Sequence, residues 1–320
     1  MKNLKRILGI TFLALFALSC NNDDNNDVKT IAQIAKKSNN LSILVEALEK
    51  TGLTDTFNSP GSYTVFAPSN ASFEAFLTAN GFTSLDDVPV DLLTQVLKNH
   101  VLAGTFYSSD ISTGYVSTLA KGSASDNPLS MYINVSDAGV IINGGNTNGG
   151  GKVTAYDIKA SNGVIHVVDG VLGLPTIVNH AIANPDFTSL VGALTSSGQP
   201  DFVGILSGTG PFTVFAPNNA AFTSLNNELA PGGIASVSAA NLTKVLTYHV
   251  VSPANVLSTS LTEGQVVTPI LSPAQTFTVL LSGGARLKDA NNRECPIIAT
   301  DVQCSNGVIH VLSKVLLPTL

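Results

Sequence analysis

The sequence predicts two tandem repeats that each mix short helices with strands, and three repeated stretches carry that prediction. "YTVFAPSNASF" (63–73) returns as "FTVFAPNNAAF" (212–222). "SNGVIHV" stands at 161–167 and again, identical, at 305–311. "LLTQVLKNHVLAG" (92–104) is matched by "LTKVLTYHVV" (242–251). A length of 320 residues agrees with about two domains. Hydrophobic residues make up 44 % and charged residues 12 %, which suits chains that bury sizeable cores rather than disordered ones.

Residues 1–19 read as an export leader. Lys2, Lys5 and Arg6 precede an apolar run from Ile7 to Leu18, too short to span a bilayer and built like a secretory h-region. The run ends in Ala17-Leu18-Ser19-Cys20, which resembles the lipobox of bacterial lipoproteins, where cleavage precedes a cysteine that then carries lipid. Ala17 stands where that pattern usually has Leu, so an ordinary signal peptide with a chance cysteine is the other reading. Residues 20–28, opening on Cys20 and "NNDDNND", have nothing to bury and are expected to be a solvated tether. Acidic runs in this place also resemble the surface-export signal of some Gram-negative lipoproteins, with a plain spacer as the alternative. The leader holds three of the 16 Lys and Arg and none of the 22 Asp and Glu, so the mature chain carries 13 positive against 22 negative side chains. No basic cluster survives, which argues against nucleic acid or an anionic lipid surface as partner.

The repeat proper spans 29–174 and 175–320. Each unit opens on a helical pattern, "TIAQIAKKSNNLSILVEAL" (30–48) and "TIVNHAIANPDFTSLVGAL" (176–194). The run "TVF" (64–66 and 213–215) is then a strand closed by Ala-Pro, because proline cannot donate to a sheet ladder. Ser69-Asn70 and Asn218-Asn219 follow as helix caps, and Phe73, Phe76 and Leu77, like Phe222 and Leu225, recur at helical spacing. A second helical pattern ends at His100 and at His249. Asn162-Gly163 and Asn306-Gly307, each between two β-type runs, predict hairpin turns with positive φ at the central positions. Each unit closes with Val-Leu before a proline, "VLGLP" to Pro175 and "VLLP" to Pro318. The offset between copies is 149 residues at the first motif (212 − 63) and 144 at the hairpin (305 − 161), and "GGNTNGGG" (144–151) is the expected place of at least part of that excess in copy one. Pro175 is followed directly by Thr176, so with no flexible linker the two units are expected to hold a restricted orientation.

This ordered set, "TVFAP" with its following "AF", a helix ending in His, "NGVIHV" and "VLLP", resembles the fasciclin domain, twice and over nearly all of the mature chain. The resemblance implies an α+β fold of two tandem domains, each a β-sandwich-like wedge flanked by short helices. It also implies adhesion or extracellular matrix contact rather than catalysis. In that family a Tyr-His dipeptide near the helix end is linked to integrin contact, which Tyr248-His249 matches and Asn99-His100 does not.

Chemistry beyond adhesion finds little support in the residues. His100 pairs with His249 and His166 with His310, yet no paired Cys or repeated carboxylate completes a zinc site, so these histidines read as structural and no metal or cofactor is expected. Asp169 stands three after His166 while Ser313 stands three after His310, so a His-Asp couple is not repeated. No G-x-S-x-G occurs, and "GGGKV" (149–153) has Val153 where a phosphate loop needs Ser or Thr. Asn70-Ala-Ser72 spells a glycosylation sequon inside a fold motif, where it has little meaning. Cys295 and Cys304 flank "PIIATDVQ", read as one strand; nine steps of about 3.3 Å hold them roughly 30 Å apart, beyond the ~7 Å a disulfide allows. A bulge near Asp301 would not recover that distance. The expected function is a membrane-anchored adhesion or interaction lipoprotein of the outer membrane or cell surface, or of the periplasm-facing side, with an unknown protein or polysaccharide as partner. The alternative is a glycan-binding accessory protein, which the absence of Trp weakens.

Overall fold

The computed structural model describes residues 28–320. The leader, Cys20 and all of the tether but Val28 lie outside the described residues.

In the first copy the helices α1 (Ile31–Lys37), α2 (Ser42–Lys50) and α3 (Thr54–Asn58) precede the strand β1 (Tyr63–Pro68), which leads into α4 (Asn70–Ala79) and α5 (Val90–Asn99). Six strands complete it: β2 (Val101–Ala103), β3 (Gly114–Lys121), β4 (Pro128–Ser136), β5 (Gly139–Ile142), β6 (Gly151–Ala160) and β7 (Gly163–Val168). The second copy repeats the order, with α6 (Ile177–Ala183), α7 (Thr188–Leu194), α8 (Phe202–Leu206), β8 (Phe212–Pro217), α9 (Asn219–Glu228) and α10 (Ala239–Thr247). Its strands then run β9 (Val250–Val251), β10 (Val266–Val267), β11 (Phe277–Leu280), β12 (Arg286–Lys288), β13 (Glu294–Cys304) and β14 (Gly307–Leu312). The two sheets have matching orders, β2-β1-β7-β6-β5-β4-β3 and, read from the other end, β9-β8-β14-β13-β12-β11-β10. Among the described residues only β1–β7 and β8–β14 pair in parallel, in register from Tyr63↔Gly163 and from Phe212↔Gly307.

The parallel pair explains why its strands read as unbroken apolar runs. A strand buried on both faces shows no polar alternation. Val65, Ala67 and Ile165 face a core under the helices, while Phe66 and Val168 face a second core built with Met131, Ile133 and Ile142 from the far half of the bent sheet. In the second copy Val214, Ala216 and Ile309 take the helix side, and Phe215 and Leu312 pack with Phe277, Val279 and Leu287. The strands end at Pro68 and Pro217, and Ser69 and Asn218 cap the next helices, accepting from Ser72 N at 3.2 Å and Ala221 N at 2.9 Å.

The Asn-Gly pairs form hairpin turns, but not for the expected reason. The two-residue loops are Ser161-Asn162 and Ser305-Asn306, and the non-glycine residues with positive φ are Asn143, Asp157, Asn292 and Asp301. Asn162 instead uses its side chain. Its Oδ1 accepts from Ile31 N at 2.9 Å, and its Nδ2 donates to the carbonyls of Phe57 and Ser59, both at 2.9 Å. Asn306 repeats the brace on Ile177 N, Leu206 O and Gly208 O at 3.0, 2.8 and 2.7 Å. The helix start, the third helix and the hairpin are thus fastened by one amide. Gly163 and Gly307 are required by crowding, since a Cβ there would strike the carbonyl oxygens of Tyr63 and Phe212. Each hairpin strand has two bulges, and the second falls at Asp157 or Asp301, both at φ 60°.

The copies meet through segments in which they differ. The β5–β6 connection, residues 143–150, is longer than its counterpart at 289–293 and holds the Gly/Asn-rich stretch. Asn148 Nδ2 donates to Asn179 O at 2.8 Å, and Asn179 Nδ2 donates back to Asn148 Oδ1 at 3.1 Å, docking that loop on α6. The tip of the β3–β4 hairpin reaches the turn of the second copy, where Ser123 N and Ala124 N donate to Ser305 O at 3.0 and 3.1 Å. Gln303 N donates to Ser130 Oγ at 3.0 Å, and Ser305 N donates to Pro175 O at 2.8 Å. Tyr115 of β3 lies edge-on to His180 of α6 at 5.4 Å.

Candidate functional site

The repeated histidines are consumed by the backbone. His100 follows α5, its Nδ1–H donating to Val96 O at 2.7 Å and its Nε2 accepting from Leu172 N at 2.8 Å. His249 does the same with Val245 O at 2.7 Å and Leu316 N at 3.0 Å. Each ring ties the end of a helix to the closing Val-Leu segment, which is why both motifs recur together. One nitrogen must donate and the other accept, so the ring is held neutral. Burial drives both pKa values down to about 4, against the smaller opposing pull of the Val96 and Val245 carbonyls.

The strand histidines anchor a loop instead. His166 Nε2–H donates to Phe106 O at 2.9 Å and its Nδ1 accepts from Asp157 N at 3.3 Å. His310 does so with Val256 O at 2.8 Å and Asp301 N at 3.4 Å, and burial lowers its pKa. The bulged aspartates then grip the same loops. Asp157 accepts from Ser108 N at 2.7 Å and Ser108 Oγ at 2.6 Å, and Asp301 accepts from Ser258 N at 2.8 Å and from its hydroxyl. The Ser108 hydrogen bonds hold the Asp157 carboxyl below the usual range. The sequence points to a bulge near Asp301 but not to this grip, although "YDIK" and "TDVQ" repeat both aspartates at the hairpin offset.

Tyr248 and His249 do not stand on the surface. Their relative exposures are 0 % and 3 %, and the Tyr248 hydroxyl donates to Thr276 O at 2.6 Å while accepting from Ala290 N at 3.1 Å. The expectation that this pair meets a partner is corrected on that ground: the ring is a core side chain packed edge-on against Phe277. The fifth histidine, His180, is also fully buried, at the junction of the copies, and burial draws its pKa to about 4. Cys295 and Cys304 sit at opposite ends of β13 as buried free thiols; burial pushes Cys295 up to about 12 and Cys304 well above its ordinary value. Among the described residues no group of three or more His, Cys, Asp or Glu is placed to hold a metal ion.

What reaches solvent is unevenly shared between the copies. Phe106 and Tyr156, 40 % and 39 % exposed, flank His166, the first through its carbonyl and the second with its ring 6.1 Å from the imidazole. The same bonds place Val256 and Thr300 at the corresponding points of copy two. Conversely, copy two has an apolar cavity of about 100 Å³ between α6, α7, α8 and the sheet, where copy one has about 20 Å³.

The profile of the Fasciclin domain family matches residues 39–175 and 185–318. "Protein sll1483" of Synechocystis sp. is 38 % identical over 145 residues, 45 % of this chain and 74 % of that protein. "Transforming growth factor-beta-induced protein ig-h3" of Sus scrofa is 28 % identical over 299 residues, 87 % of this chain and 40 % of that protein. Among solved structures, a FAS1 domain pair from the insect cell adhesion molecule Fasciclin I is superimposable with a TM-score of 0.52 at 19 % identity, covering 87 % of this chain and 96 % of that one. The likeness extends to a domain pair.

Proposed function

The chain belongs to the fasciclin family, and from that premise we propose a membrane-anchored adhesion or interaction lipoprotein whose two domains act as one rigid head. The observation that carries the reading is the internal use of the repeated histidines and turn asparagines. His100, His166, His249, His310, Asn162 and Asn306 all bond to backbone, and the carboxylates beside the strand histidines, Asp157 and Asp301, hold Ser108 and Ser258, so the repeated polar groups are engaged inside the fold. Family membership supports contact with other molecules as the task. Among the described residues no helix is long and apolar enough to cross a membrane, so the proposed anchor is the lipid on Cys20, carried by the acidic tether. The experiment is fractionation and proteinase shaving of intact cells that express the chain or its Cys20→Ser variant. The expected result is surface-accessible, membrane-bound protein that the substitution releases; retention of the variant in the membrane fraction would remove the lipid anchor from the proposal.

A second reading, glycan binding, is favoured by the exposed pair Phe106 and Tyr156, since sugar rings stack on aromatic faces. A glycan array on the wild type and on the Phe106→Ala and Tyr156→Ala variants decides it: binding that both substitutions abolish supports it, and a blank array rejects it.

A further inference from the structure

We propose that the second domain carries a binding pocket for a single neutral aliphatic chain. This goes beyond adhesion and does not depend on it. The internal duplication supplies the control. Because Asn162 and Asn306 brace equivalent atoms, Phe57 of copy one corresponds to Leu206 of copy two, and Ile31 to Ile177. Counting from those points, Lys36, Thr54 and Thr56 in copy one become Ile182, Val203 and Ile205 in copy two. These three aliphatic side chains are 52 %, 40 % and 48 % exposed. Two of these changed positions, Ile182 and Val203, lie at a cavity five times larger in copy two than in copy one (about 100 against about 20 Å³).

The walls define the ligand. Ile177, Leu206, Val214 and Ile309 give it hydrocarbon down to the sheet. The polar side chains at the wall have their donors engaged, His249 being bonded at both nitrogens and Thr195 donating to Val191 O at 2.9 Å, so a guest would meet no open donor. The volume is smaller than the ~150 Å³ apolar cavity that admits benzene, so the cavity takes a chain end rather than a ring. The exposed Ile182 and Val203 at the mouth continue the apolar path for the rest of the chain. Charge disfavours an anionic headgroup: residues 177–206 contain Asp186 and Asp201 and no Lys or Arg, whereas in the matching segment of copy one Lys36, Lys37 and Lys50 offset Glu46, Glu49 and Asp55. A second protein copy laid flat on the patch would cover the mouth and leave the cavity unfilled.

The test is titration of the full chain with 1-octanol, followed by the methyl resonances of Ile182, Val203 and Leu206. The expected result is a saturable shift of these methyls, with octanoate binding more weakly than the alcohol. Leu206→Phe, which installs the residue of copy one, is expected to weaken binding by about ten-fold or more, as the loss of two or three buried methylenes would. Ile182→Lys, at the exposed mouth and again the residue of copy one, is expected to weaken binding with the amide spectrum unchanged, so the proposal stays testable if the first variant misfolds. Absence of a saturable shift, or a shift that both variants leave intact, overturns the proposal. So does a concentration-dependent dimer through this patch that octanol fails to dissociate.

Discussion

Replacing Asn306 by glycine separates two explanations of the Asn-Gly pair. If the pair serves a left-handed turn, glycine at the asparagine position is harmless or helpful, because it adopts positive φ without strain. If the side chain is the brace, glycine is as damaging as alanine. Asn306 is 4 % exposed, and its amide makes three bonds of 2.7 to 3.0 Å to Ile177 N, Leu206 O and Gly208 O. A buried hydrogen bond contributes about 1 kcal/mol net, so Asn306→Gly is expected to cost about 3 kcal/mol, and more where a partner is left dry. For a domain of this size that is a fall of roughly 10 °C in the calorimetric transition. Asn306→Asp is expected to be worse, because it turns a donor to two carbonyl oxygens into an acceptor. Asn162→Gly serves as the twin in the other domain, through Ile31 N, Phe57 O and Ser59 O. The assay is differential scanning calorimetry of wild type and the four Gly and Ala variants. A loss below about 0.5 kcal/mol for both glycine variants, with a larger loss for alanine, would refute the brace and restore the turn.

Three further expectations follow from the same geometry. His100, His180 and His249 are neutral in the fold with pKa values near 4 against 6.5 when unfolded, so the unfolded chain binds more protons between those values. Their stabilisation is complete above about pH 6.5 and is lost as pH falls toward 4, by on the order of 3 kcal/mol for each ring; urea midpoints that stay flat over this window would contradict the burial argument. Cys295 and Cys304 are expected to resist iodoacetamide in the native protein and both to react once unfolded without reductant, read by intact mass; finding no alkylatable thiol in the unfolded monomer would show that the strand reading is wrong. Small-angle scattering is expected to fit one arrangement of the two domains, and Ser130→Ala, which removes the acceptor for Gln303 N, to loosen it; a broad ensemble for the wild type would contradict the docked junction.

The elements that repeat in sequence were legible because each has a local physical cause: a proline that ends a strand, a cap that starts a helix, a two-faced strand with no polar break. The motif "SNGVIHV" also showed where a hairpin lies, yet not why it is conserved between copies, because the reason is a bond to residue 31 or 177, far away in the chain. The same limit hid what Asp157 and Asp301 hold, because their partners Ser108 and Ser258 lie on another loop. It also let Tyr248 pass for a surface residue, since burial of a tyrosine depends on Phe277 and Thr276, elements that periodicity does not connect. The solvent-facing differences, Phe106 against Val256 and Lys36 against Ile182, were visible as letters and became informative only once hydrogen bonds fixed which positions correspond.

The junction of the two copies also sets a rule of assembly. Contact between them is head-to-tail, one face of the first copy against a different face of the second, and such contacts propagate whenever each unit offers both faces. Here the forward face depends on the long β3–β4 hairpin and the Gly/Asn loop. The strands that take their places in the second copy, β10 and β11, have two and four residues against eight and nine, and the equivalent loop is shorter. The second domain can therefore receive a neighbour but cannot present itself to a third in the same way. The contact runs from the first copy to the second, and the second offers no equal surface by which the same contact would be repeated.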